Sequence, residues 1–137
     1  MRIDARPRLF LCAAIAVLAC CCGCKPSERD LYQTGMMQMQ AQQYQDAADK
    51  FDASLKINPN SKSALYRKAY CLYKLQKYSD ALPLFERFLK ETDNNEWTVT
   101  FISERRDAEF YRDKCKLALG QEVPQDPEHI PPPPMGE

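Results

Sequence analysis

The residues best suited to chemistry crowd one end of the chain. Seven cysteines occur in 137 residues, and Cys12, Cys20, Cys21, Cys22 and Cys24 all lie within the first 24. Cys21 and Cys24 have the CxxC spacing of a metal or redox pair, but no second Cys/His pair follows at ligand spacing. The single histidine, His129, stands in a proline-rich stretch, so neither a His-based triad nor a histidine cluster can form. Four glycines are too scattered for a phosphate-cradling loop. Glu104, Asp107 and Glu109 interleave with Arg105, Arg106 and Arg112, the pattern of a solvated, salt-bridged helix face. Cys71 and Cys115 read as small apolar residues on packed helix faces, with a disulfide in an oxidising compartment as the alternative. No catalytic residue, metal or cofactor is assigned, and the expectation is a protein that is not an enzyme.

Charge and hydropathy give the cysteine-rich end a different purpose. Basic and acidic residues balance at 19 each, but Arg2, Arg6 and Arg8 face only Asp4 in the first 19 residues. Without that segment 16 basic and 18 acidic side chains remain, which argues against a nucleic-acid groove or a polybasic membrane surface. After the arginines an apolar run extends from Leu9 to Ala19. As a helix it spans roughly 16 Å, about half a bilayer core, too short for a transmembrane helix and suited to a signal-peptide core.

The end of that run, Val17-Leu18-Ala19-Cys20, resembles the lipobox of bacterial lipoproteins. In that family the cysteine receives a diacylglycerol and becomes the first residue after cleavage. The resemblance implies a signal peptide over 1–19, Cys20 as lipid acceptor and a lipidated linker over 20–27. Cys24, preceded by Cys22 and Gly23, is the alternative acceptor, and an ordinary signal peptide with incidental cysteines is the plainer reading. Several acyl chains, palmitate among them, would anchor stably, because each buried methylene contributes about 0.8 kcal/mol. The implied location is the bacterial cell envelope, with inner and outer membrane both open.

The body repeats itself at an offset of 34 residues. Leu31 meets Leu65, Tyr32 meets Tyr66, Gly35 meets Ala69 and Tyr44 meets Tyr78; Asp46 and Ala47 meet Asp80 and Ala81; Phe51 meets Phe85; Leu55 and Lys56 meet Leu89 and Lys90. Within each unit the apolar steps are helical, three to four residues apart. Ser27 and Asp30 have capping-box spacing. The stretch from Asn58 to Ser61 reads as a turn that caps the next helix, and Ser79 as a cap that puts Pro83 in a first turn. Each unit is therefore predicted to be a helical hairpin.

A 34-residue helical hairpin with these residues in place resembles the tetratricopeptide repeat. The resemblance covers 28–61 and 62–95. It implies packing roles for Gly35, Ala47, Phe51 and Pro59 in the first repeat, and for Ala69, Ala81 and Phe85 in the second. Asn94 stands where the second repeat would have its proline. Ser54 and Phe88 occupy a position where the family prefers alanine, and Phe88 implies a looser junction after repeat two.

Beyond the repeats, Glu96–Leu119 reads as one long helix with Trp97, Phe101, Ala108, Tyr111, Cys115 and Ala118 along one face. It caps the second hairpin over 96–120, ended by Gly120. Two hairpins bury too little alone, so this cap supplies part of a third unit. The fold class is all-α, a short helical-hairpin solenoid with disordered termini. Residues 121–137 contain six prolines and are expected to be a solvated tail with a polyproline II stretch at 131–134, a ligand for a proline-reading domain being the alternative.

In tetratricopeptide proteins the inner faces of the first helices line a groove for a peptide or a partner's helix. Carried over, that groove takes Tyr32, Met36 and Met39 from repeat one and Tyr66, Tyr70, Tyr73 and Lys74 from repeat two. For Tyr66 packing against a neighbouring helix stands as an equal alternative. The lysine and asparagine with which some members hold terminal carboxylates are replaced here by Tyr32 and Met36, so a dicarboxylate clamp is not expected. The expected function is a membrane-anchored adaptor or envelope assembly factor that binds a protein or peptide near the membrane. A self-stacking structural subunit is the alternative, with homo-association in place of a separate ligand. A metal or redox lipoprotein using Cys21, Cys22 and Cys24 is a third reading. Outer-membrane and pilus-assembly lipoproteins are similar in architecture only.

Overall fold

A computed structural model describes residues 25–93 and 100–123. Among them are five helices and no strand: α1 Glu28–Gln40, α2 Tyr44–Ile57, α3 Lys62–Lys74, α4 Tyr78–Glu91 and α5 Ile102–Ala118. Each helix packs on the one before it, and α5 also touches α3. The result is an all-α repeat solenoid, as the 34-residue period predicts. No described helix is long and apolar enough to cross a membrane. The expected signal peptide, Cys20, Asn94, Trp97 and the proline-rich tail with His129 lie outside the described residues.

The helix starts follow the sequence in part. Ser27 and Asp30 do form the capping box: Asp30 N donates to Ser27 Oγ at 3.2 Å and Ser27 N to Asp30 Oδ2 at 3.1 Å. Ser61 stands at the start of α3, but its hydroxyl donates to Glu28 Oε1 at 3.3 Å instead of capping. The expected cap at Ser79 is corrected. The helix α4 begins at Tyr78 because the carbonyl of Lys77 already accepts from Asp80 N and Ala81 N. Pro83 then falls inside the helix on an exposed position, where it omits one ladder hydrogen bond.

The helix ends show the repeat more sharply than the starts. In α1, Gln42 N donates to Met39 O and Gln43 N to Gln38 O, at 3.0 and 2.9 Å. In α3, Gln76 N donates to Tyr73 O and Lys77 N to Leu72 O, both at 2.9 Å. In α5, Gly120 N donates to Leu117 O and Gln121 N to Lys116 O, at 3.1 and 2.9 Å. All three are Schellman closures around a left-handed residue, with φ of 58° at Gln42, 60° at Gln76 and 71° at Gly120. The helix α5 is thus built like the first helix of a third hairpin.

The core is divided between two clusters. Ala47, Ala48, Phe51, Ala64 and Cys71 form one, and Leu65, Tyr66, Ala69, Ala81, Phe85, Phe88, Ala108 and Cys115 belong to the other, with Leu55 packed against both. Gly35 is needed where it stands, since a Cβ there would lie 2.9 Å from the Phe51 ring. Ser54 is fully buried and donates to Glu28 Oε1 at 3.1 Å, which explains a hydroxyl in a position suited to alanine.

Two expectations for the third element are corrected. The helix read as continuous from Glu96 to Leu119 is broken at Phe101 (φ −112°, ψ 29°), and α5 runs from Ile102; the expected start at Glu96 lies outside the described residues. Strict repetition would start it six residues earlier, after the short link that separates α2 from α3. Phe88 is fully buried against Tyr66 (5.3 Å between ring centroids) and Phe101 (5.9 Å). The junction is filled, not loosened. Ala118, expected on the packed face of α5, is exposed, whereas Ala108 and Cys115 are buried.

Candidate protein-binding surface

The first helices α1 and α3 carry all seven residues expected to line the groove, and the packing divides them. On α1, Tyr32, Met36 and Met39 are half-buried over the Ala47–Phe51 cluster, with Tyr32 5.6 Å from Phe51 between ring centroids. Their outer parts remain accessible because nothing follows α1 on its N-terminal side among the described residues. On α3, Lys74 is exposed, and its ammonium lies 5.5 Å from the centroid of the Tyr70 ring.

Tyr66 is corrected. At 1 % exposure it has no surface to offer a peptide. Its ring lies between Phe85 (6.3 Å) and Phe88, and its hydroxyl donates to Asp107 Oδ2 on α5 at 3.3 Å. Tyr70 is corrected in degree: it is 9 % exposed and flanked by Tyr44 at 6.5 Å and Tyr111 at 5.4 Å. Tyr73 stays half-buried, 4.7 Å from Tyr111 and 5.8 Å from Tyr78. Tyr111 of α5 covers Tyr70 and Tyr73, while Phe85, Phe88 and Asp107 enclose Tyr66. The accessible surface is therefore Tyr32, Met36, Met39, the edge of Tyr73 and Lys74.

Sequence reasoning missed two participants. Tyr44 served there only as a repeat identity with Tyr78, although it stands at the first turn of α2 beside Tyr70. Tyr111 was assigned to the packed face of α5, but its reach across α3 depends on how α5 seats. The acidic and basic run on α5 is also less solvated than its pattern implies. The Arg105 side chain is 15 % exposed and its guanidinium donates to Leu89 O and Thr92 Oγ1, both at 2.8 Å, at the end of α4. Asp107 faces Tyr66.

The titrating groups here are arranged for packing. Burial raises the Tyr66 phenol, and the Asp107 carboxylate adds to it. Burial likewise raises Tyr73 and Tyr111. The Cys71 and Cys115 thiols are free, lie in different core clusters, and are pushed up by burial to about 12 and about 11. Both stay protonated at neutral pH, which leaves little thiolate for attack or metal binding. Among the described residues no group of three or more His, Cys, Asp and Glu is placed to hold a metal.

Residues 32–96 match the family model of the tetratricopeptide repeat. The match spans the two hairpins and supports a tetratricopeptide-repeat fold, one that typically serves as a non-catalytic module for binding proteins. No curated protein and no solved structure matches the chain.

Proposed function

We propose that this chain is a lipid-anchored adaptor or assembly factor of the bacterial envelope, in which the α1 side of the solenoid captures a segment of a partner protein. The observation that carries the reading is the accessible row Tyr32, Met36, Met39 and Lys74 on the first helices of a tetratricopeptide fold. Two thioethers and a phenol on α1 give an adaptable apolar surface, and Lys74 on α3, over the Tyr70 ring, supplies a charged donor. A lysine exposed beside the Tyr70 ring favours a segment that pairs apolar side chains with a carboxylate.

The anchor reading rests on the basic lead, the short apolar run and the Val17-Leu18-Ala19-Cys20 ending. Seven residues separate Cys20 from the start of α1 at Glu28, a reach of at most about 25 Å. A partner would then be met close to the membrane. Two measurements test the proposal. Palmitate labelling of the native chain is expected to be lost in Cys20→Ser, and retained labelling there would move the acceptor to Cys24 or elsewhere. Crosslinking co-purification from solubilised membranes is expected to recover a partner with the native chain and lose it with Met39→Ala/Lys74→Ala. Equal recovery by a folded variant would remove this surface as the binding site.

A further inference from the structure

We propose that α5 is a self-association surface, on which a second copy of this chain packs its own α5 antiparallel about a two-fold axis. The inference uses none of the residues assigned to partner capture and stands or falls separately from that reading. It begins with an incomplete element. The helix α5 closes like α1 and α3 and packs on α4 through Ala108, Tyr111 and Cys115. In the first two hairpins such a helix is covered by a second one, α2 or α4. No helix among the described residues takes that place on α5.

The face opposite the packed one carries Ile102, Arg106, Phe110, Asp113 and Leu117. At about 100° per residue these five fall within roughly 80° of one another around the helix. Ile102 is 60 % and Leu117 56 % exposed, Arg106 is exposed, and Phe110 and Asp113 are half-buried. The order reads the same way in reverse when two copies run antiparallel. About a two-fold axis between Glu109 and Phe110, Ile102 meets Leu117 of the second copy, Arg106 meets Asp113, and the two Phe110 rings meet near the axis. Opposite charges thus oppose each other twice, and apolar residues meet at the centre and both ends, as an isologous contact requires.

The charged residues are available for this. Among the described residues Arg106 forms no salt bridge, although its charge acts on the neighbouring Asp107. Asp113 accepts from Arg112 Nε through Oδ1 at 2.8 Å, which leaves its other oxygen for the second copy. A second copy is favoured over an unrelated partner because the surface is complementary to itself in both charge and spacing. A helix of 17 residues is about 25 Å long, so the contact falls in the small size class where association is reversible and concentration-dependent.

The test is sedimentation velocity on the full chain in a nonionic detergent over a concentration series, with circular dichroism as a fold control. The native chain is expected to form a reversible dimer. Arg106→Asp and Asp113→Arg, each of which breaks both symmetric pairs, are expected to weaken it by about tenfold or more. The double reversal is expected to restore it to within about threefold of native. Leu117→Glu, at an exposed position where folding is least at risk, is expected to weaken it like the single reversals. A native chain that stays monomeric throughout overturns the proposal. So do single variants that associate like the native chain, or a Leu117→Glu variant that is unaffected.

Discussion

Asp107 illustrates how a residue of ordinary surface type acquires a cost when a neighbour settles on it. Its carboxyl is raised above the usual aspartate range first by burial and then by Glu104, against the lowering effect of the Tyr66 hydroxyl. A raised acid binds its proton more tightly in the folded chain than in the unfolded one. Its contribution is therefore most favourable below the ordinary aspartate value and is lost as pH rises through the folded value. Asp107→Asn keeps an acceptor for Tyr66 and removes the charge. It is expected to be more stable than the native chain at pH 7, by less than about 1 kcal/mol, since the site is partly solvated. Urea midpoints of the two chains should converge as pH falls below about 4; an Asn variant weaker at pH 7 would show that the charge itself supports the Tyr66 contact. Nothing in the run of alternating charges around Asp107 marks it as different from Glu104 or Glu109. Only the approach of Tyr66 from another helix does. Gly35 is the opposite case, because its matching position holds Ala69 and a 34-residue comparison alone shows that a small side chain is needed there.

The hairpins are defined as much by their turns as by their helices. Gln42 and Gln76, one repeat apart, both hold the left-handed conformation at the end of a first helix. For a residue with a Cβ that conformation costs about 1–2 kcal/mol, and glycine adopts it freely, as Gly120 does at the end of α5. Gln76→Gly is accordingly expected to gain about 0.5–1 kcal/mol after the greater flexibility of the unfolded chain is subtracted. A higher thermal midpoint would confirm this, and a lower one would mean that the glutamine side chain holds the turn. At this scale the sequence was legible wherever local rules act: the helical spacing, the capping box at Ser27 and the stop at Gly120 all follow from neighbours within a few residues. It was less legible at the starts of α4 and α5. There Ser79 satisfies the local rules as well as Tyr78, which actually begins α4, and no local signal marks the break at Phe101.

At the scale of the molecule the fold is a row of neighbours, in which two clusters meet at Leu55 and no contact joins α1 directly to α5 among the packed pairs. Stability in such a row is close to a sum of nearest-neighbour terms. Tyr111, which lies 4.7 Å from Tyr73 and 5.9 Å from Phe85, holds the last term. Tyr111→Ala is expected to lose about 2–3 kcal/mol. Hydrogen exchange should quicken first in α5 and α3, with α1 least affected; uniform quickening would mean a single cooperative unit. The 34-residue period, the small residues at Gly35, Ala69, Ala47 and Ala81, and the large rings at Phe51 and Phe85 were sufficient to determine the class of fold, because the solenoid is built from contacts between adjacent segments that repeat their own pattern. The seating of α5 was decided only by the tertiary structure. The start of α5 at Ile102 departs from the period, and residues far apart in sequence, Phe88 with Phe101, Tyr66 with Asp107 and Tyr70 with Tyr111, meet in a register that no local pattern encodes. That register removes Tyr66 from the expected groove and leaves the exposed stripe of α5 facing outward.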